Sequence, residues 1–439
     1  RCATLTSCSP EGADLRSRSA GVVMQKFSDI SPAVIWVFLF FTLSLSSATR
    51  QFIWLMSLVG IAMCARDPKG FFGTDGIRRF WVVLSCFLVP AVLSLFDAIN
   101  VERAVSGVVR FMAYGFAVWV MLQIKLDRPE SHRMMSLLGA VLMVWVVDGL
   151  VQLLTGLSVF GNPLIELDSG HTLVTGSFRT GYGSTLAILS PFYLEALRRT
   201  RGGFAVSVLS LPLFATIVMS GNEASILHAL FALCGYALVL CRVERGADTV
   251  PWLVSLSLCF CLAVVAGSVL TETFRASASG QAATDTYRAL EYLPDFWISA
   301  WSGFLDHWVN GVGVRGWGSL AVSLDNLSNL PVTDRWHPHL FVLEVAVDTG
   351  VPGLMGYLFF FVFLGRRLFD KRIEIALCSL IVMLALFPLN SAVSFYSYFS
   401  GNFLFLTLAL LIALDRDIPL PSEIDSAVET VAVRAESDR

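Results

Sequence analysis

Charged residues are scarce in this sequence. Only 15% of its 439 residues are Asp, Glu, Lys or Arg, whereas 55% are hydrophobic and the mean hydropathy is +0.69. A water-soluble domain needs more polar surface than this composition offers, whereas a chain embedded in a bilayer does not. The composition therefore excludes a soluble globular protein and indicates a polytopic membrane protein.

Other absences narrow the class further. The long polar segment 271–339 has no cysteine, so no disulfide framework is expected in it. Residues 1–23 lack the apolar core of a secretory signal peptide, and we interpret them as a disordered leader or an upstream extension of the reading frame. We find no internal repeat strong enough to indicate the inverted halves that are common in transporters.

Long apolar runs dominate the rest of the chain. Their lengths and composition predict about twelve transmembrane helices, so the expected fold class is an all-α polytopic membrane protein. The apolar segments cover residues 32–48, 50–64, 79–96, 105–124, 134–154, 182–197, 203–219, 224–241, 251–270, 340–364, 373–390 and 400–414.

The distribution of Lys and Arg predicts the orientation, because short cytoplasmic loops accumulate positive charge. Sixteen basic residues fall in the loops of one side, and only Arg50, Arg103 and Arg179 fall in short loops of the other. We therefore expect the first side, with both termini, to be cytoplasmic. The expected domains are a disordered N-terminal segment 1–31, nine helices over 32–270, an external loop 271–339, three helices over 340–414 and a cytoplasmic tail 415–439.

The external loop is rich in aromatic residues, which argues for an ordered structure. Its residues Trp297, Trp301, Phe304 and Trp308 recur at helical spacing and predict an amphipathic helix over 294–308. That helix can lie on the membrane surface or pack on the transmembrane bundle, and the two positions are compatible. The glycine-rich segment that follows, 311–318, can bind an anion through its backbone amides. A simple flexible turn is the more common structure for such a segment.

Two histidines and two carboxylates lie where this loop enters the membrane. Ionisable groups at that depth are costly unless they are paired, so His337, His339, Glu344 and Asp348 are functional candidates. Pro338 suits the first turn of a helix, which would make His337 the helix cap. Helical spacing puts Glu344 about 140° from His339, so the carboxylates can belong to a different wall of a cavity.

Further polar residues lie inside the apolar segments. Arg110 and Asp148 are within neighbouring segments, and charged groups in a membrane usually pair, so we expect a structural pair. Glu223 and His228 enter the segment 224–241 from its external end. They either line the same cavity as the histidines or form hydrogen bonds between helices.

A metal site is the weaker interpretation of the histidine cluster. His337 and His339 are two residues apart with a proline between them, which suits an extended segment better than a helical His-x3-His pair. We therefore expect no metal and no other cofactor.

The order of these features resembles the O-antigen ligase and O-antigen polymerase family of bacterial membrane enzymes. An arginine is followed by a Trp-containing helix, by Gly-Val-Gly over 311–313, and by His-Pro-His over 337–339 ahead of Leu-x5-Thr-Gly-x-Pro-Gly. The family's signature histidine falls on His339 and its acid on Asp348. The leucine and the two glycines of the signature fall on Leu343, Gly350 and Gly353.

Three positions depart from the pattern of that family. Leu340 stands where relatives have Asn or Ser, and Glu344 stands where they have Gln. Glu223 stands where relatives often have an arginine, so one expected phosphate contact is absent from that position.

The resemblance implies a metal-independent glycosyltransferase that transfers or polymerises a polyprenyl-diphosphate-linked oligosaccharide at the external face of the bacterial inner membrane. Its acceptor would be a glycan, lipid A core or a protein, in the synthesis of O-antigen, capsule or exopolysaccharide. The lipid bilayer and a chain-length regulator are further candidate partners, and no nucleic acid is expected. The alternative from another class is a transporter or flippase of lipid-linked glycan.

The chemistry of such a transfer assigns roles to particular side chains. Arginine binds phosphate bidentately and stays charged in a low dielectric, and histidine can accept a proton near neutral pH. We predict that His339 is the base or orients the acceptor hydroxyl, unless it only caps a helix at the interface. The candidates for the diphosphate are Arg288 first, Arg179 second and Arg315 third. Further candidates for substrate binding are Glu344, Glu223 and His337.

Overall fold

The computed structural model describes residues 31–69, 75–166, 172–178, 181–201, 203–221, 223–243, 249–277, 284–324, 337–390 and 394–415. Most of these residues are helical. The strands among them form one antiparallel pair of two residues each, β1 (Ile165–Glu166) and β2 (Thr172–Leu173). The helical class predicted from the sequence is confirmed.

Each of the twelve apolar segments falls on a helix, and the segment between the ninth and tenth of them contributes two more, α10 and α11. In chain order the helices are α1 (Pro32–Thr42), α2 (Ser46–Arg66), α3 (Asp75–Leu93), α4 (Val101–Met121), α5 (Arg128–Thr155), α6 (Tyr182–Thr200), α7 (Gly203–Met219), α8 (Glu223–Val243), α9 (Thr249–Ser277), α10 (Thr284–Asp306), α11 (Trp317–Val322), α12 (Phe341–Leu368), α13 (Ile373–Ala385) and α14 (Tyr398–Asp415).

Eight of the helices in the described ranges are long and apolar enough to cross a membrane, namely α2, α3, α4, α5, α8, α9, α12 and α14. The helices α1 and α13 and the apolar part of α7 are shorter. The chain is therefore a multi-pass membrane protein, while the number of twelve crossings stays a prediction. The expected start of the external loop at 271 also stays a prediction, because α9 continues to Ser277.

The last helix, α14, lies at the centre of the bundle. Its membrane-spanning window is 83% buried, against 22–61% for the other seven candidate spans. It packs against α13, α3, α4, α2 and α1, and the Phe405 ring stacks on Tyr114 of α4 at 4.3 Å between centroids. The residues that begin α14 are therefore held within the bundle.

Ion pairs tie helices together at one end of the bundle. The Asp415 carboxylate lies 2.6 Å from Nη1 of Arg79 and 2.8 Å from Nη1 of Arg367, so the start of α3 is joined to the ends of α12 and α14. Because these three helices run through the bundle, Asp97, Phe341 and Tyr398 lie at its opposite end. That opposite end carries the candidate site.

The amphipathic helix expected over 294–308 is present as α10, which begins ten residues earlier and ends at Asp306. Its residues Phe296, Ala300 and Phe304 are buried in a small apolar cluster with Trp317 and Val347 of α11 and α12. Packing on the bundle is therefore confirmed for one face of this helix.

Candidate active site

The loop between α10 and α11 is docked on a break in α12. Gly350 has φ 63° and ψ −158°, which interrupts the helix and frees backbone groups on both sides of it. The Val351 N–H donates to the Trp308 carbonyl at 2.8 Å, and the Val312 N–H donates to the Val347 carbonyl at 2.9 Å. The loop is thus fixed to the first half of α12 by backbone hydrogen bonds.

These bonds correct the expectations for the glycine segment 311–318. The amides of Val312, Gly313, Arg315 and Trp317 donate to α12, so they are not available to surround an anion. The segment is also not a simple flexible turn. Gly311 has φ 74°, and a Cβ at this position would meet the backbone of Asp348, which is why glycine is required there.

Asp348 holds Arg315 in place. Its fully buried carboxylate accepts hydrogen bonds from the backbone N–H of Arg315 at 2.7 Å and of Trp317 at 2.9 Å. Arg315 has φ 62°, a left-handed conformation that costs a non-glycine residue about 1–3 kcal/mol. Burial lowers the pKa of Arg315, and the nearby charges of Arg110 and Arg103 lower it further. The loop therefore holds a guanidinium beside other positive charges.

Arg110, in the third turn of α4, is the most unusual charge at this end of the bundle. It is only 6% exposed, and Nη1 donates to the Tyr396 carbonyl at 2.7 Å. Its Nε and Nη2 have no hydrogen-bond partner within the described ranges. A buried charged group with unmade bonds costs a few kcal/mol, so the retention of this arginine requires an explanation.

Tyr398 brings a further arginine to the same place. The Cζ of Arg110 lies 3.7 Å from the centre of the Tyr398 ring, and that of Arg50, at the start of α2, lies 5.5 Å from it. We call Arg50, Arg103, Arg110 and Arg315 the arginine cluster. None of the ion pairs found among the described residues involves Arg50, Arg110 or Arg315.

The two histidines lie just before α12. The structure contradicts the expected cap, because α12 begins at Phe341 and its N-cap is Leu340. The physical reason is the backbone of His339, whose φ of 54° turns the chain out of a helical path. The His339 N–H donates to Nδ1 of His337 at 3.1 Å, so His337 stabilises this turn and not the helix.

The environments of the two histidine rings differ. Burial and, to a smaller extent, the proximity of His339 lower the pKa of His337 to about 3. His337 is therefore neutral at ordinary pH. The His339 ring lies 4.2 Å from that of His337 and 5.3 Å from that of Phe296 in α10, measured between centroids. Among the described non-glycine residues, only His339 and Arg315 have positive φ, and both were predicted to be site residues.

Glu344 is buried and fully engaged with the segment before α14. It accepts hydrogen bonds from the Ser394 hydroxyl and, at 2.8 Å, from the Phe395 N–H. It thereby holds the residues that follow, including Tyr396, whose carbonyl binds Arg110. The two carboxylates of α12 thus fix two different segments around the arginine cluster.

Two cavities open at this end of the bundle. One lies beside Arg110 and is also lined by Val314, Tyr396 and Ser397. The other lies between the starts of α6, α12 and α14. Phe395 and Leu404 line both cavities, so a single wall separates them.

Several predicted site residues remain without a described environment. Arg179 lies outside the described residues. Arg288 lies in α10 and Glu223 begins α8, but the side chains of both are outside the described set.

His228, by contrast, has a described environment. It is buried, and its Nδ1 contacts the Ala224 carbonyl within α8. Within the described ranges, no group of three or more His, Cys, Asp or Glu side chains is arranged to hold a metal ion.

The expected pair of Arg110 and Asp148 is wrong. Asp148 of α5 accepts from the Val159 N–H at 2.6 Å and stabilises the turn that follows its own helix. Arg110 faces the segment that leads into α14 instead. The position of an arginine inside an apolar run indicated a buried partner. That partner, Tyr396, could not be identified from the sequence because it lies 286 residues away along the chain.

Fold and site together define a multi-pass helical membrane protein with a cluster of arginines and a pair of histidines at one end of its bundle. A family model described as O-antigen ligase matches residues 205–358, a range that includes Arg315, His337, His339, Glu344 and Asp348. Over this range the chain is similar to the O-antigen ligase family, which confirms the resemblance drawn from the sequence. No curated protein matches the chain.

Similarity to that family implies a glycosyltransferase-type activity in polysaccharide synthesis, with a lipid-linked glycan as donor and a glycan as acceptor. Arg50, Arg103, Arg110 and Tyr398 lie outside the matched residues. The arginine cluster therefore combines one residue from the family domain with three from the N-terminal helices.

Proposed function

We propose that the protein transfers a glycan from a polyprenyl-diphosphate carrier to an acceptor hydroxyl at the external face of the inner membrane. The observation that carries this proposal is the arginine cluster. It concentrates guanidinium groups at one end of the bundle, and the most buried of them, on Arg110, has two nitrogens without a hydrogen-bond partner among the described residues. A diphosphate supplies negative charge and acceptor oxygens that suit these nitrogens of Arg110.

The reaction needs stabilisation of a leaving group more than it needs a cofactor. When the acceptor oxygen bonds to the anomeric carbon, the bond from that carbon to the carrier phosphate breaks, and the electron pair leaves with the diphosphate. Arginines that are fixed in advance stabilise this developing charge without reorganisation. We assign this role to Arg110 and Arg315, with Arg50 and Arg103 contributing to the local potential. No metal is needed for this step.

His339 is the proposed base that takes the proton from the acceptor hydroxyl, or the group that orients it. His337 is a poor candidate for this role, because a pKa of about 3 makes it a weak proton acceptor. The left-handed conformation of His339 supports a functional assignment, since strain of this kind collects at active sites. Arg288, Arg179 and Glu223 stay candidates for further contacts with the substrate.

Glu344 and Asp348 are assigned to positioning. Both are buried, and both hold a backbone segment that carries part of the arginine cluster or its partners. Glu344 therefore acts on the substrate through the 394–396 segment and not by direct contact, which revises its expected role in substrate binding.

The distribution of charge supports the proposed orientation. Arginines at the opposite end, such as Arg79, Arg199 and Arg367, are ion-paired with buried carboxylates. Most of the basic loop residues lie at that end, as expected for a cytoplasmic side. This distribution also favours an enzyme over a flippase, because a transporter concentrates its charged groups near the middle of the membrane.

The surface polysaccharide of a deletion strain tests the proposal. The strain would be complemented with wild type, with His339→Ala, or with His132→Ala as a matched control, because His132 is exposed at the opposite end. We expect His132→Ala to restore the polysaccharide and His339→Ala to leave glycan on its carrier at the external face. Glycan confined to the inner face would contradict an enzyme and indicate a flippase.

The same strain distinguishes the two family activities. Single repeats on the lipid core without longer chains would indicate a polymerase. Complete polymer that stays on the carrier, beside a bare lipid core, would indicate a ligase.

A further inference from the structure

From Pro294 onward, α10 carries three separate stripes of side chains. At about 100° per residue, Asp295, Ser302 and Asp306 share one polar stripe. Phe296, Ala300 and Phe304 form a second stripe, which is buried against α11 and α12. The third stripe is apolar and exposed, and it occupies the side of the helix that the polar stripe and the buried stripe leave free. Its members are Trp297, Ile298, Trp301 and Leu305, and the chain continues it with Trp308.

The exposed stripe is too apolar to face water. Ile298 is 67% exposed, Leu305 is 54% exposed and Trp301 is 50% exposed. Because this stripe is centred roughly 120° from the buried one, the bundle that covers Phe296 and Ala300 cannot also cover it. A contiguous apolar surface of this kind marks an interaction surface.

The position of α10 identifies what the stripe faces. The Asn310 amide, just after α10, donates to the Asp97 carboxylate at 2.8 Å, and the Ile99 N–H donates to the Val312 carbonyl at 3.0 Å. Asp97 is the last residue of a candidate membrane span, Gly76–Asp97. These bonds therefore fix the end of α10 at the level where α3 leaves the hydrocarbon.

Exposed apolar residues of the bundle also lie at the point where the loop after α10 is bound. Phe96, next to Asp97, is 80% exposed, and Ile99, which itself binds the loop after α10, is 47% exposed. Farther down α3, Val89 and Val92 are also exposed. Exposed apolar residues at the end of a membrane span, and a Trp-rich helix whose end is fixed at the same level, are both suited to contact with lipid.

We propose that α10 lies flat on the bilayer, with Trp297, Trp301 and Trp308 inserted in the layer of lipid headgroups. The polar stripe with Asp295 and Asp306 then faces water, and the Phe296 stripe faces the bundle. This arrangement fixes the loop that carries Arg315 at the depth of lipid phosphates. It is independent of the reaction that the protein catalyses.

Tryptophan fluorescence in nanodiscs tests the placement. A triple variant with Trp297→Phe, Trp301→Phe and Trp308→Phe keeps the surface apolar and removes three emitters. Its spectrum is subtracted from that of the wild type, which leaves the signal of the three tryptophans alone. This difference signal is measured with lipids brominated near the headgroup, with lipids brominated deep in the acyl chain, and with aqueous iodide. The matched control is Trp317→Phe, because Trp317 is buried in the same loop region.

We expect shallow bromines to quench the difference signal at least twofold more than deep bromines or iodide do. The signal from Trp317 should respond to none of the three quenchers. Quenching by iodide alone would overturn the proposal, because it would place the stripe in water. A difference signal that no quencher reaches would also overturn it, in favour of an interface with a second copy of the chain. Neither result depends on whether the protein transfers glycans.

Discussion

Replacement of Asp348 by Asn tests whether the loop geometry controls the activity. The carboxylate accepts two backbone hydrogen bonds, from Arg315 at 2.7 Å and from Trp317 at 2.9 Å. Asparagine keeps one acceptor oxygen and turns an N–H₂ group towards the other donor, so at least one charge-assisted bond is lost, worth about 1.5–3 kcal/mol. Since about 1.4 kcal/mol corresponds to a factor of ten, the population of the held loop falls roughly 10- to 100-fold. We expect a similar loss in the rate of glycan transfer.

The assay is a double-mutant cycle on the purified protein in nanodiscs, with transfer from a lipid-linked glycan as the readout. If Asp348 acts through Arg315, then Asp348→Asn adds little to the defect of Arg315→Ala. Asp295→Asn, an exposed carboxylate on α10, is the matched control and should retain full activity. The reasoning would be refuted if Asp348→Asn kept full activity. It would also be refuted if the rate loss of the double variant equalled the product of the losses of the two single variants.

Two further predictions concern stability. Gly311→Ala should lower the free energy of unfolding by roughly 2–4 kcal/mol, because it forces a non-glycine residue to φ 74° against the backbone of Asp348. Gly365→Ala should leave the free energy of unfolding unchanged, because there is open space around the new Cβ. Thermal melts in detergent compare the two variants. His337 is neutral in the native protein and charges on unfolding below its ordinary pKa of 6.5, so stability should fall as the pH drops from 6.5 towards 3. His337→Gln should weaken this dependence in melts at pH 7 and pH 4.5, and an unchanged pH dependence would show that His337 does not cause it.

The helices were predictable because their signal is local. An apolar run of about 20 residues has few alternatives to a helix in a membrane, and each such run falls on one. The Trp-containing helix was also predictable, since Trp297, Trp301 and Phe304 follow the helical period. Its earlier start at Thr284 was not, because the residues before Pro294 have no such pattern.

The roles of the carboxylates could not be predicted from their spacing. Glu344 and Asp348 lie one turn apart, yet each binds a segment that is distant in sequence, at residues 394–395 and 315–317. Those partners depend on the break at Gly350, which opens α12 to the loop. A histidine in a left-handed conformation likewise has no signature in a single sequence, which is why the expected cap at His337 was wrong.

The partners of Arg110 at the candidate site could not be predicted from the sequence either. Its position in an apolar segment marked it as costly and therefore significant. The sequence offered Asp148 as the partner, because the two charges lie in neighbouring helices. Only the packing of α14 at the centre of the bundle brings Tyr396 and Tyr398 to Arg110, and within the described part of the chain two of its nitrogens have no hydrogen-bond partner.

The most direct test of the central claim is glycan transfer by Arg110→Lys in nanodiscs, from a polyprenyl-diphosphate-linked oligosaccharide. Lysine keeps the charge but loses the planar, bidentate donor. Arg201→Lys, at an exposed position at the opposite end of α6, is the matched control. If the arginine cluster binds the diphosphate, Arg110→Lys should lower kcat/KM for the donor at least tenfold while its melting temperature and the control's activity stay near wild type. A wild-type rate for Arg110→Lys would contradict the claim.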